Sequence, residues 1–372
     1  MTPIFDLKIW AQVPFPFWTA CFFALGCVVG SFLNVCIHRL PREESIIHPP
    51  SHCPRCGCAI PWYLNIPLVT WLWLRGRCAN CKEEISMRYF LVETLTGSLF
   101  ALSWLAFGHR SLALVATDCV LFSGLIAATF IDFEHFIIPD QITIGGMVTG
   151  LILAFFAPAL HLSFPGFQPL SAPTAAMRDS LVGMIVGAGV VYGILRLGKL
   201  FFGRYKIALA PGSRIFFTET ALKLPAGDMP YEELFYRAGD MIRLQAERVE
   251  LIDRCYRNVE VRLQPRQLRI GQDSFDPEKV LYFEAVTDHV VLPREAMGLG
   301  DVKFMAAIGA FLGWPAVFFS LALSSVIGSL VGVGLILLRK RDWSARLPYG
   351  PYIALAAVIW VFGGYRWLER LF

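Results

Sequence analysis

Apolar residues follow one another along this chain in runs too long for the core of an ordinary soluble domain. They fall near 13–36, 89–107, 111–131, 141–161, 180–202, 315–338 and 350–364. A helix rises 1.5 Å per residue, so about 20 such residues cross a hydrocarbon core about 30 Å thick. The stretch 301–314 is shorter. It opens with Asp301 and Lys303 and is closed by Gly313-Trp314-Pro315, which predicts a short helix turning straight into the next. The pattern predicts an all-α polytopic membrane protein of about eight transmembrane helices.

Residues 203–300 break this pattern. Apolar and polar positions alternate in Arg214-Ile215-Phe216-Phe217 and Val259-Glu260-Val261-Arg262-Leu263, the period of short strands. Pro211, Gly212, Pro225, Gly227 and Gly239 punctuate the stretch as turns, and Tyr231 to Phe235 can begin a helix. A small β-rich domain is therefore expected within a membrane body. The expected organisation is a first span in 1–37, a cysteine-bearing loop over 38–88, and spans two to five with Asp132 in 89–202. The β-rich insertion then occupies 203–296, and the last three spans with Asp301 occupy 297–372.

Composition agrees: 56% of the 372 residues are apolar and 17% charged, and 30 Phe and 10 Trp exclude a disordered chain. The net charge of +4 gives no reason to expect a nucleic-acid partner, so the position of the bases carries more than their number. Arg39, Arg42, Arg55, Arg75, Arg77, Lys82 and Arg88 lie between spans one and two, against only His109 and Arg110 between spans two and three. The first loop is therefore expected in the cytoplasm, together with 132–140, 203–300 and the loop from Arg339-Lys340-Arg341 through Arg346. The 162–179 connection, with Arg178 as its one Lys or Arg, falls outside, as do both termini. Lys8 precedes the first run and no small-residue cleavage site follows it, which reads as a retained anchor.

Ten cysteines divide by position. Cys21, Cys27, Cys36 and Cys119 lie in apolar runs and read as small packing residues. Cys53-Pro-Arg-Cys56 and Cys78-Ala-Asn-Cys81 form two C-x-x-C pairs, a spacing that lets each pair clamp one Zn2+ from a tight turn. Four thiolates would close the tetrahedron, giving a structural site, and a reducing cytoplasm keeps the thiols available. Cys58 leaves open which two of the three sulfurs near residue 56 bind.

Acidic groups at a membrane rim are costly and hence functional candidates. Asp132 ends the third span and Asp301 opens the sixth, on the same expected face. Two such carboxyls brought side by side share one proton and can act as base and acid on a peptide bond. Gly298 and Gly300 would let a substrate strand approach closely. Taken singly, each aspartate also fits a rim carboxylate that caps a helix or pairs with Lys303, and Lys303 either steadies the pair or reaches to the interface. Asp118 and Glu93 read as structural groups with buried donors, and Glu134 and His135 as part of a solvated loop.

These residues resemble the bacterial type IV prepilin peptidases. The resemblance runs through Gly30-Ser31-Phe32-Leu33-Asn34-Val35, His38-Arg39-Leu40-Pro41, both C-x-x-C pairs, Asn65-Ile66-Pro67 and Leu74-Arg75-Gly76-Arg77-Cys78. It continues in Ile85-Ser86-Met87-Arg88-Tyr89, Val92-Glu93, the block from Asp132 to Asp140, Gly298-Leu299-Gly300-Asp301-Val302-Lys303 and Pro348-Tyr349-Gly350-Pro351. The resemblance implies a polytopic aspartic protease of the bacterial inner membrane that cleaves the basic leader of prepilins or pseudopilins at the cytoplasmic face, in type IV pilus or type II secretion systems. It implies Asp132 and Asp301 as the catalytic pair, and N-methylation of the new terminus from S-adenosylmethionine, for which no residue here is assigned. The long 203–300 stretch departs from the family, as a tolerated insertion or as a gate. Two rivals differ in class: an ion or solute transporter with a zinc-stabilised loop, and an intramembrane aspartic protease with other substrates. A transporter predicts charges near the midplane and inverted halves, and neither is visible.

Overall fold

A computed structural model describes residues 14–53, 55–163, 166–202, 204–225, 227–235, 240–280, 282–293, 298–338 and 347–369. Lys8, Gly239 and the basic loop at 339–346, used above for sidedness and turns, lie outside them. Among the described residues, eight helices of ten residues or more run in the order α1 Phe15–Arg39, α2 Met87–Phe107, α3 Leu112–His135, α4 Asp140–Phe156, α5 Pro173–Phe202, α6 Leu299–Leu312, α7 Trp314–Leu337 and α8 Gly350–Ile359. Among the described residues five of them, α1, α2, α3, α5 and α7, are long and apolar enough to cross a membrane. The 14 residues of α6 rise about 21 Å, short of the core thickness. Gly313, at φ +79°, stops α6 before Trp314-Pro315 opens α7, as the sequence suggests.

Other ends differ from expectation. Helix α4 stops at Phe156, because Pro158 opens a 3-10 turn, and a two-stranded ladder of Leu162–Ser163 with Gln168–Pro169 follows. Helix α5 begins at Pro173, a residue tolerated in a first turn. The last span does not run straight: after α8 comes a π turn, Trp360–Gly364, with Gly363 at φ +103°, and then Tyr365–Glu369.

The chain forms two compact units, Met1–Tyr192 with Leu299–Phe372, and Gly193–Gly298. In the first, helices meet backbone to backbone through glycines spaced four apart, the packing membranes favour when large apolar side chains gain nothing by leaving lipid. A Cβ on Gly26 of α1 would lie 2.7 Å from the Cα of Gly97 on α2, and one on Gly30 would lie 2.8 Å from the Cα of Glu93. Helix α6 is held from two sides. Gly146 and Gly150 of α4 face its Ala307, Ala310 and Phe311, while Gly183 and Gly187 of α5 face its Gly309 and Met305. From Asp301 to Leu312 only Lys303 escapes burial.

The second unit is an eight-stranded antiparallel sheet: β1 Arg204–Phe217, β2 Ala221–Leu224, β3 Gly227–Pro230, β4 Ile242–Leu251, β5 Cys255–Gln264, β6 Gln267–Ile270, β7 Asp273–Phe275 and β8 Phe283–Pro293. Its spatial order is β3-β2-β1-β8-β4-β5-β6-β7. Alternation buries Ile215, Ile242, Leu244, Val261, Leu263 and Leu268 in one core, so the β-rich expectation holds, with one-turn helix Tyr231–Leu234 where a helix start was read. The first and last strands are paired neighbours, Arg204 opposite Pro293, so the chain leaves the sheet beside where it entered.

Candidate active site

Asp132 lies three residues before the end of α3 and is buried, with 5% of its surface exposed. Its Oδ2 accepts a 2.8 Å hydrogen bond from the backbone N–H of Gly350, the first residue of α8. That N–H has no partner inside its own helix, and the positive end of the helix dipole favours an anion there. A Cβ on Gly350 would stand 2.8 Å from the same oxygen, so only glycine allows this approach.

Asp301 is the third residue of α6, also at a helix N-terminus, and is 9% exposed. Beside it, a Cβ on Gly300 would meet the backbone nitrogen of Ile138 at 3.5 Å, and the Cδ1 of Ile138 reaches to 3.2 Å from the corresponding point on Gly350. One isoleucine thus joins the start of α6 to the start of α8, where Asp132 is held. Lys303 Nζ donates to Asp140 Oδ1 at 2.6 Å, tying α6 to the first residue of α4. This partner is neither of the two expected for Lys303, the aspartate pair or the interface. Gly298 precedes α6 and is exposed.

Glu134 and His135 are not loop residues. They complete the last turn of α3, where Arg88 Nη1 holds Glu134 at 2.5 Å. Asp118 has the buried donor expected of a structural group, Ser103 Oγ donating to its Oδ2 at 2.9 Å; the donor to Glu93 Oε2, the Leu68 N–H at 2.7 Å, is only half-buried. Gly350 and Ile138 carry no chemical signal by residue type. The visible hint is Tyr349-Gly350-Pro351, in which proline in a first turn marks a helix start and hence free N–H groups.

The cysteines assemble separately. The Sγ atoms of Cys53, Cys56, Cys78 and Cys81 lie within 4.8 Å of one another and can hold a metal ion. Each pair sits in the same turn: Gly57 N–H returns to Cys53 O at 2.9 Å and Lys82 N–H to Cys78 O at 3.1 Å, with Gly57 and Lys82 both at positive φ. An Arg55–Glu83 ion pair ties one turn to the other. Thiolates at a Zn–S distance of about 2.3 Å in a tetrahedron stand about 3.8 Å apart, and Cys53 Sγ and Cys81 Sγ are 3.8 Å apart. Backbone N–H groups hold two thiols below their usual range, that of Cys58 acting on Cys56 and those of Cys81 and Asn80 on Cys78, whereas at Cys81 the Glu83 N–H is outweighed by burial and the neighbouring sulfurs, which push the thiol up to about 11. Cys58 stands outside this group of four, its thiol directed at the Ala59 carbonyl.

Two family models match the chain: a bacterial peptidase A24 N-terminal domain over residues 24–107, and the type IV leader peptidase family over 119–222 and 280–333. A prepilin leader peptidase/N-methyltransferase of Myxococcus xanthus is 38% identical over 58% of this chain and 70% of its own length. Proteins of the same description from Aeromonas hydrophila and Pseudomonas aeruginosa are 29% and 26% identical, covering 93% and 91% of this chain and 91% and 89% of theirs. No solved structure matches. A multi-pass membrane body with a four-cysteine centre, read with these matches, leads to one conclusion: the chain belongs to the type IV leader peptidase family.

Proposed function

We propose that this chain is a membrane aspartic endopeptidase that removes the leader of type IV prepilins or pseudopilins, with Asp132 and Asp301 as its catalytic pair, and that it methylates the amine so exposed. The observation that carries this is the corner described above: two buried carboxyls at helix termini that Ile138 and Gly350 join. Two carboxyls in a poorly solvated site share one proton. The ionised member takes a proton from water as the oxygen attacks the scissile carbonyl, and the protonated member donates toward the oxyanion. The Gly350 N–H fixes the Asp132 carboxyl, and Asp140 keeps the Lys303 ammonium paired. Gly300 leaves room for an extended substrate strand.

Asp132→Asn and Asp301→Asn keep size and remove ionisation. Each should lower the rate of prepilin cleavage in membranes at least ~100-fold, the scale of acid–base catalysis. Near wild-type turnover by either variant would falsify the paired-carboxyl mechanism.

The reading extends to eight crossings, with α4, α6 and the α8 region as the shorter ones, to an inner-membrane location, and to an aspartate corner facing the cytoplasm as the positive-inside bias directs. Cys53, Cys56, Cys78 and Cys81 would hold one structural Zn2+, which cross-links the two turns of the loop. Elemental analysis of the purified protein then reads about one zinc per chain, and an intact, metal-free enzyme would remove the assignment. S-adenosylmethionine is the expected methyl donor.

A further inference from the structure

Between the two cysteine turns the chain exposes large apolar side chains that neither the aspartate corner nor the metal-binding thiols use. Trp62 and Trp73 are 82% and 83% exposed, Leu72 59% and Val69 54%. Val69, Leu72 and Trp73 share one face of the short helix Val69–Trp73 by their spacing. Exposed apolar side chains concentrated in this way mark an interaction surface.

The depth at which this segment is anchored identifies what covers it. Leu68, held at φ +59°, donates its N–H to Glu93 of α2. Glu93 packs against Gly30, which lies nine positions before Arg39 on α1, about 13 Å along a helix axis. It also lies five positions beyond Arg88, the first charge of α2, or about 7.5 Å. The Trp71 ring packs on Phe90, with centroids 5.0 Å apart. Helix α2 rises about 31 Å over its 21 residues, no more than the hydrocarbon core needs, so Phe90 and Glu93 are below the membrane surface and Leu68 and Trp71 stand beside them. On α2 itself Met87, Leu91 and Leu95, four positions apart, are exposed as well.

The backbone suits that depth, where a polar group cannot rely on water. Leu64 and Asn65 N–H close on the Pro61 and Trp62 carbonyls, Thr70 on Ile66, Leu72 on Leu68, and Gly76 on Trp71. The Glu93 carboxylate serves Leu68 in the same way.

We propose that residues 62–73 form an interfacial segment inserted into the leaflet on the cysteine-loop side, its exposed apolar face covered by phospholipid. The tryptophans occupy the headgroup–acyl boundary, where their rings are favoured. The segment thereby moors the two cysteine turns, which flank it in the chain, to the bilayer surface.

The test uses the full-length protein in phosphatidylethanolamine–phosphatidylglycerol vesicles, with photoreactive benzoylphenylalanine replacing Trp62, Val69 or Trp73 one at a time. Leu102, on the exposed face of α2, and Arg55, in a cysteine turn, are the lipid and solvent references. After irradiation, mass spectrometry should find lipid adducts at 69 and 73 at yields like those of position 102 and at least ~10-fold above position 55, as burial at the acyl boundary requires. Yields no higher than at position 55 would overturn the proposal. So would lipid adducts that disappear when excess prepilin is added and cross-links to it replace them, since the face would then bind protein. Quenching by brominated phospholipid gives a check without the photoprobe. Trp62→Phe with Trp73→Phe should remove a quenchable fraction of the emission, and no change in that fraction would count against insertion.

Discussion

Helix α6 and strand β1 each bury residues completely, but by opposite means. Around α6 the neighbours withdraw their side chains: Gly146, Gly150, Gly183 and Gly187 let two helices approach until backbone meets backbone. In the sheet the side chains extend instead, and Ile215 and Phe217 of β1 fill one core with Leu222 and Ala285 of its two neighbours. In the sheet unit Gly212 lies within β1, where the register with β8 shifts, and not in the turn that Pro211-Gly212 suggests; it has φ +77° and no atom within 4 Å of an added Cβ. The difference follows from the solvent. In water a large apolar side chain is driven inward at roughly 25 cal/mol per Å2; in lipid it gains nothing by moving inward, and close van der Waals contact takes over. The aspartate-bearing helix is thus positioned by what its surroundings lack, with little slack for Asp301 to drift.

Substitutions at matched sites can break or sharpen this contrast. The largest effect is expected at Gly309, whose backbone faces that of Gly183: Gly309→Leu has nowhere to place its side chain. Its cost should exceed the ~1–3 kcal/mol of ordinary overpacking, so that little folded enzyme accumulates in membranes. Normal accumulation would mean that α6 is not fixed by this contact. Next comes Leu268→Ala in the sheet core, where Leu268 is 1% exposed. A loss of about 2–4 kcal/mol is expected there, read as faster amide exchange in β5 and β6 while α1 to α4 keep their protection. Smallest is Gly189→Ala on α5, two positions beyond Gly187 but open, with nothing within 4 Å. The melting temperature should hold or rise, by helix propensity worth at most ~1 kcal/mol. A large fall at Gly189 would show that glycine on α5 matters for some reason other than contact.

Much of this was legible in the chain because hydrophobicity is a property of residue type. Eight apolar stretches coincide with eight helices, and the alternating stretch with a sheet. Helix ends were less legible because contacts set them. Asp179 looks like a loop residue, yet it lies in α5 paired with buried His161 Nδ1 at 2.9 Å, and Arg88 likewise keeps Glu134 helical. In the candidate site, rarity picks out Asp132 and Asp301, and spacing picks out the four cysteines. Gly350 was hidden because its contribution is a backbone N–H, which nearly every residue possesses. Cys58 was ambiguous in one dimension; in three, its thiol faces the Ala59 carbonyl and stands apart from the group of four.

The sheet unit returns the chain on a strand hydrogen-bonded to the one that received it, with Arg204 across from Pro293. Hairpins between those two strands lengthen the chain without parting its entry and exit, because the rung of Arg204 and Pro293 closes the unit by itself. The family model matches on both sides and passes over residues 223–279, from within β2 to just short of β8, so the two strands that meet at this rung are the ones it reaches or approaches.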